Sequence, residues 1–319
     1  MESRDSLDKT RPNALLRSVE DERVVRPTPI LEDTQPILVS GYSRRSRRKT
    51  WRGCVSFLLA GVILALVYFL LPWRTNLLIL GTDSRDVGDV LGRTDTIILT
   101  TIQPLRPEVG MLSIPRDLWL PIPGYGENRI NTAFFFAEAD FPGSGPDKAI
   151  ETIQANFGVG MDYYLLVQFN GIVGIVDAFG GLDVDLPRAM SGYEAGTQHM
   201  DGTQALAFVR DRSGSDDFFR MERGQIFLKS FLKQLLSPKK WVRLPGTVIA
   251  TFSAVETDVP PVIWPRLGLA LLRAGPDGID NRSIGREMVT GFTTENGAAV
   301  LVPNWDLIGP LIAELFHLR

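Results

Sequence analysis

Arginine and aspartate are the residues of this chain best placed to do chemistry. They gather in short motifs: GTDSR at 81–85, GRTDT at 92–96, SIPRD at 113–117, NRINTAF at 128–134 and VRDRSGSDDFFRMERGQ at 209–225. Carboxylates hold a hard cation such as Mg²⁺, and planar guanidinium forks hold phosphate oxygens in pairs. Ten arginines but only one lysine, Lys148, lie between 76 and 225. A general preference for Arg accounts for the number, but not for the placement beside Asp and Gly in loop-like segments. Arg220 and Arg223 stand three apart near the start of an expected helix and share a face, which Phe227 and Phe231 continue into apolar territory. That helix start would favour an anion through its free N–H groups. A solvated first turn pairing with Asp216, Asp217 and Glu222 is an equal alternative. Asp83 follows one expected strand and Asp95 opens the next, so adjacent strands could bring both carboxylates to one rim. As isolated residues they would read as turn and cap aspartates. Arg116 and Asp117 fall just past a third strand, on what could be the same rim.

The elements that must position these groups begin with a span. Residues 54–71 form an uncharged apolar run, preceded by Arg44, Arg45, Arg47, Arg48, Lys49 and Arg52 and flanked by Trp51 and Trp73. Such a run is long enough to cross a bilayer core of about 30 Å, and the basic flank puts its N-terminal side in the cytoplasm. A cleaved signal peptide fits less well, since some 50 residues precede the run and no small-x-small site follows Leu71. The expected organisation is therefore a disordered basic cytoplasmic tail (1–53), a transmembrane helix (54–72) and one extracytoplasmic catalytic domain (74–319). Phosphate chemistry outside a membrane points to a lipid-linked pyrophosphate.

Within that domain, short β-branched runs at 76–81, 94–102 and 108–114 read as strands. Helices are expected at 131–139, 146–157, 170–179, from Asp201 to Arg210 and at 218–236, with strands at 162–169 and 182–186 among them. Apolar helices near 260–274 and 304–318 follow, with a strand at 298–302. Interleaved elements with short early β-to-β links predict an α/β fold, a mixed sheet with helices on both faces. Cys54 is the only cysteine, and His199 and His317 are the only histidines. This excludes disulfides and multi-histidine zinc, and both histidines read as structural. A net charge of −3 gives no reason to expect a nucleic-acid partner. Phe134, Phe135, Phe136, Ile150, Ile153, Phe157, Phe169, Ile172, Val176 and Phe179 could line a channel for a polyprenyl tail, although core packing is the simpler reading.

The order and spacing of LLILGTDSR, GRTDTIIL, LSIPRDLWLPIPGYG, RINTAF, DYYLLVQFNGIVGIVDAFGGLDVDLP, HMDGTQALAFVRDR and DDFFRMERGQIFLK resemble the LytR-CpsA-Psr family, over about 76–240. The single N-terminal span is that family's usual topology. The resemblance implies a Mg²⁺-dependent phosphotransferase that moves a glycopolymer phosphate from a polyprenyl-pyrophosphate carrier to peptidoglycan. It implies Asp83 and Asp95 on the metal. It implies Arg93, Arg116, Arg210, Arg212, Arg220 and Arg223 at the pyrophosphate, with Gln225 as a head-group contact. Beside it, the residues themselves suggest Asp117 or Asp83 to orient the attacking hydroxyl, Arg93, Arg116 and Asp117 as the catalytic set, and Arg129 as a further substrate contact. Where the family often has two glutamines after the R-x-x-R pair, this chain has Gly224-Gln225. Phosphoryl transfer needs mainly positioning and charge stabilisation, so the scarcity of Cys and His is no obstacle. A non-catalytic regulator that binds lipid-linked intermediates, or a pyrophosphatase, would use the same residues.

Overall fold

The computed structural model describes residues 48–70, 73–82, 92–103, 108–211, 217–275 and 277–317. The tail up to residue 47 lies outside the described residues, as do Asp83, Arg212 and Asp216. Residues Ser56–Arg319 form one compact unit.

Helix α1 (Arg48–Leu70) covers the apolar run. Among the described residues no helix is long and apolar enough to cross a membrane. The side chains described along α1 are nonetheless mostly exposed, Phe57 by 81% and Leu64 by 70%.

Strands β1 (Thr75–Thr82), β2 (Thr94–Gln103) and β3 (Glu108–Ile114) follow, then a hairpin of β4 (Trp119–Ile122) and β5 (Gly126–Arg129). Next come α2 (Thr132–Asp140), α3 (Gly145–Phe157), β6 (Tyr163–Gln168) and α4 (Phe169–Phe179). A second hairpin, β7 (Leu182–Leu186) and β8 (Gly196–Met200), leads into α5 (Gly202–Arg210) and α6 (Asp217–Leu235). A 3₁₀ turn at Pro238–Arg243 then enters α7 (Leu244–Ala254), β9 (Val255–Thr257) and α8 (Trp264–Ala274). The chain closes with β10 (Ile279–Ser283), β11 (Val289–Thr293), β12 (Ala299–Pro303) and α9 (Trp305–Leu315).

Six strands make one mixed sheet in the order β10-β3-β2-β1-β6-β9. β1 runs antiparallel to β2 and parallel to β6, and β3 is antiparallel to β2 and parallel to β10. The C-terminal ends of β1, β3, β6 and β10 and the start of β2 consequently share one rim. Both faces of the sheet are covered, which is why its central strands read as continuous apolar runs rather than alternating ones. Leu78, Leu80, Leu99 and Leu112 face Phe134, Ile153 and Ile312 of α2, α3 and α9. Leu77, Ile98 and Met111 face Leu267 of α8 and Leu228 and Leu232 of α6 on the other side. A third cluster joins α4 and α5 to the β7–β8 hairpin through Val176, Phe208, Val184 and Met200.

Local signals account for many of the boundaries. Pro146 sits in the first turn of α3, which stops at Gly158 with φ of 67°. Asp201 and Gln204 form a reciprocal capping box at the start of α5. Several expected bounds shift: Phe169 opens α4 instead of closing β6, residues 260–263 form a turn ahead of α8, and the last helix ends at Leu315 rather than 318.

Candidate functional site

A break in the β1–β2 ladder places the first site residue. Gly81 pairs with Thr96 and Thr82 with Thr94, so Asp95 has no partner across the ladder. A bulge of this kind re-aims a side chain at a sheet edge. Gly81 adds a second constraint, because a Cβ there would lie 2.7 Å from Phe169 Cε1 and 3.0 Å from Thr96 Cβ. Its absence lets the Phe169 ring close over the strand end.

The turn after β3 brings Arg116 onto this rim. One guanidinium nitrogen, Nη1, donates to Asp95 Oδ1, and Nε lies 3.1 Å from Asp217 Oδ1. The backbone N–H of Arg116 also donates to Asp217 Oδ2 at 3.2 Å. Asp217 opens α6, and Arg220 one turn later donates to its Oδ1 while lying 3.8 Å from Asp95 Oδ1. Asp117 extends the network: its Oδ2 is 3.6 Å from Arg116 Nε and its Oδ1 3.3 Å from Arg129 Nε. Arg129 in turn donates to the carbonyl of Ala299 at 2.8 Å. Three carboxylates and three guanidiniums from four separate segments thus meet at the sheet rim.

Burial sets the electrostatics of this network. It pushes the Asp217 carboxyl above its ordinary range, offset only in part by the charges of Arg220 and Arg116. Burial works against the charged Arg116 as well. There the hydrogen bond and charge of Asp95, with the charges of Asp217 and Asp117, outweigh it and hold the guanidinium above its usual value. Arg223 is almost wholly buried, and burial lowers its value despite Asp211. It donates to the Asp211 carbonyl, tying α6 to the end of α5. Arg210 donates to Asn170 Oδ1 at 3.0 Å and lies over the Phe169 ring at 5.9 Å, next to the β1 end.

The match to known proteins follows this geometry. The chain agrees with the model of the LytR_cpsA_psr family over residues 73–307. It belongs to that family. A polyisoprenyl-teichoic acid–peptidoglycan teichoic acid transferase, TagU, from Oceanobacillus iheyensis is 38% identical over 58% of this chain and 58% of its own length. The chain therefore spans a little over half of that relative. The "Probable cell wall biosynthesis protein LcpB" of Corynebacterium glutamicum is 29% identical over 79% of this chain and 69% of its own. The fold matches B. subtilis TagV with a TM-score of 0.64 at 24% identity, covering 78% of this chain and 99% of that one. It also matches TagT bound to LI-WTA, with a TM-score of 0.61 at 20% identity, covering 76% of this chain and 90% of that one.

Of the site residues expected from the sequence, Asp95, Arg116, Asp117, Arg129 and Arg220 are brought together, with Arg210 and Arg223 on neighbouring elements. Arg93 is not part of the network. Its exposed guanidinium lies over the Phe135 ring at 5.7 Å and makes no ion pair with these carboxylates among the described residues. Gln225 is committed elsewhere too: its amide donates to Ser113 Oγ at 2.9 Å and to the Arg282 carbonyl at 3.0 Å, docking α6 on β3 and β10. His199, expected in a polar turn, lies on β8 and pairs with Asp183 across the β7–β8 ladder.

Two residues escaped the sequence reading. Asp217 looked like half of a solvated i,i+3 pair, but its side chain is only 9% exposed and also holds Arg116, 101 positions away. Asn131, buried within NRINTAF, donates its N–H to the Arg116 carbonyl at 3.3 Å and accepts from Thr94 Oγ1 through its own carbonyl at 3.4 Å. It braces the turn that carries Arg116. Nothing but its place in a motif signalled this.

The apolar candidates divide clearly. Phe134, Ile153, Phe157, Val176 and Phe179 are buried in the core. A cavity of about 390 Å³ lies elsewhere, between α6, α4, α7 and the sheet, and of the ten candidates only Ile172 lines it. Phe227 and Phe231, stacked at 6.4 Å, form part of its α6 wall.

Proposed function

We propose that this protein is a membrane-anchored phosphotransferase that moves a glycopolymer phosphate from a polyprenyl-pyrophosphate carrier to peptidoglycan, aided by Mg²⁺. One observation carries the reading: α6 begins in the Asp95–Arg116–Asp217–Arg220 network and runs on as a wall of the apolar cavity. A diphosphate head with a long apolar tail has these two halves, in this order. At about 1.5 Å per residue, Phe227 and Leu235 stand roughly 10 and 22 Å along the helix from Arg220.

The donor set suits a hard cation shared with phosphate better than a closed metal cage. Among the described residues no group of three or more His, Cys, Asp or Glu could hold a metal ion. Asp95 is engaged there through Oδ1 alone, and the buried Asn131 Oδ1 has no partner. Mg²⁺ needs only one or two carboxylates when phosphate oxygens and water complete its shell. Asp95 with Asp83 would hold it, and when bound it would neutralise charge on the diphosphate.

Arg116 and Arg220 are already aimed and partly desolvated, so they stabilise charge on the transferring phosphoryl group with little reorganisation. Transfer forms a P–O bond to a sugar hydroxyl of the acceptor and breaks the bond to the bridging oxygen, releasing the polyprenyl phosphate. Asp117, the most open of the three carboxylates at 26% exposure, receives the hydroxyl proton. The relative named as a polyisoprenyl-teichoic acid–peptidoglycan transferase supports a donor and acceptor of this kind. The uncharged, outward-facing residues of α1 support an anchor, and the basic flank supports an extracytoplasmic site.

A Staphylococcus aureus relative, 27% identical over 59% of this chain, is named a regulatory protein, MsrR, which favours binding without transfer as the second reading. Incubating the full chain with a polyprenyl-pyrophosphate glycopolymer and Mg²⁺, with and without peptidoglycan, separates them. Release of polyprenyl phosphate only with peptidoglycan is the expected result. Release without acceptor would make the protein a pyrophosphatase, and retention of intact donor in both arms would make it a binder.

A further inference from the structure

One part of the surface is at odds with its composition. α7 has no charged residue, yet Thr247 is its only buried position. Val248, Ile249 and Phe252 are 48%, 69% and 61% exposed, and Val242 in the preceding turn reaches 89%. A helix apolar on all sides is normally covered, by protein or by lipid. Its inner side packs on α4 and lines the cavity beside α6.

The surroundings of this face indicate what covers the rest. Phe252 meets Trp264 of α8 edge-on at 5.8 Å, and just ahead of α8 the exposed Val262 accepts a hydrogen bond from Tyr68 near the end of α1. Arg266 of α8 donates to the carbonyl of Trp73 at 2.6 Å. The apolar face is therefore continuous with the place where α1 joins the domain. The turn and α7 carry only basic charge, Lys239, Lys240 and Arg243, while Glu256 and Asp258, which follow before Val262, accept hydrogen bonds from the Tyr164 hydroxyl and N–H. An apolar surface rimmed by basic residues complements an anionic lipid interface and would repel a second copy of itself.

We propose that the Trp241–Val242 turn, Ile249, Phe252 and Val262 bed into the surface of the anionic phospholipid bilayer that α1 enters. This rests on the reading of α1 as an anchor. Docking covers the outward side of α7 and sets the cavity, which shares Val248 and Phe252 with the exposed face, against the bilayer. The diphosphate site at the other end of α6 then points away from the membrane.

The test uses the full chain with Cys54→Ser and a single nitroxide label at Val242→Cys or Ile249→Cys, reconstituted in phosphatidylglycerol–phosphatidylethanolamine vesicles. Phe292→Cys is the reference, exposed on the β11–β12 hairpin that meets Arg129 through Ala299. Collisions with oxygen and with a water-soluble nickel chelate are measured at each position. Labels at 242 and 249 should meet the chelate several-fold less often than the label at 292, and replacing Lys239 and Arg243 by Glu should reverse the difference. Equal chelate access at all three positions, in chains that float with the vesicles, would overturn the docking and leave the anchor intact. Chains that do not float would overturn the anchor and the docking together. Spin–spin broadening between labelled copies would overturn it in favour of a dimer. Positions 242 and 249 lie on separate elements, so either alone suffices if the other variant fails to fold.

Discussion

Asp95 is held at the rim by two arginines, and its value lies in what it holds rather than in how much it stabilises. Asp95→Asn should lower turnover by about 100-fold or more, the usual effect of removing one preorganised electrostatic group. It should destabilise the fold by only about 1 kcal/mol, as for a partly exposed ion pair. Turnover within a few-fold of the native chain, measured on the lipid-pyrophosphate donor, would remove Asp95 from the site. Arg116 joins Asp95 through Nη1 and Asp217 through Nε, a two-pronged grip that a lysine ammonium does not reproduce. Arg116→Lys should therefore cost at least about tenfold in turnover despite keeping the charge. Asp217 adds a signature in pH. Its folded carboxyl titrates above its unfolded value because of burial, so its contribution is complete below the unfolded value near 3.8 and is lost as pH rises through the folded one. The native chain should thus lose stability relative to Asp217→Asn as pH climbs out of the carboxylate range, and then level off. Denaturant unfolding across that range checks this, and a difference independent of pH would contradict the buried-acid account.

Elements were legible in the sequence wherever a local rule and the global fold agree. β3 was expected at 108–114 and is found there, and α5 announces itself through Asp201 and Gln204. No element was expected at 244–254, because an uncharged helix such as α7 lacks the polar stripe that reveals helical period. The hairpin strands β4 and β5 were missed because Pro121, Pro123 and Gly124 look like loop punctuation. At the site, motif order pointed to Asp95, Arg116 and Arg220. Asp217 was not legible because a pair spaced i,i+3 says nothing of a partner 101 positions away. Gly81 lies between these two kinds of residue, visible in a motif but explained only by packing. Gly81→Ala would press on Phe169 and Thr96 and should cost about 1–3 kcal/mol, the usual range for overpacking. It should also weaken donor binding, because the Phe169 ring supports Arg210. Native thermal stability in this variant would mean that the ring moves aside freely.

For the whole molecule, the proposed anchor makes a direct prediction. The full chain should stay with membranes through high-salt and alkaline washes and come off only with detergent, as for a helix that crosses the bilayer. Release by salt alone would leave the basic residues as the sole attachment. α6 adds a consequence of a different kind. Its 19 residues make a stiff rod of about 28 Å between a charged end and an oily end. With the oily end against the lipid, as proposed, the rod would set a standoff height for the proposed reaction. On that proposal only wall strands within reach of that height would be decorated, and the thickness of the gap between membrane and wall would become a selector of the acceptor.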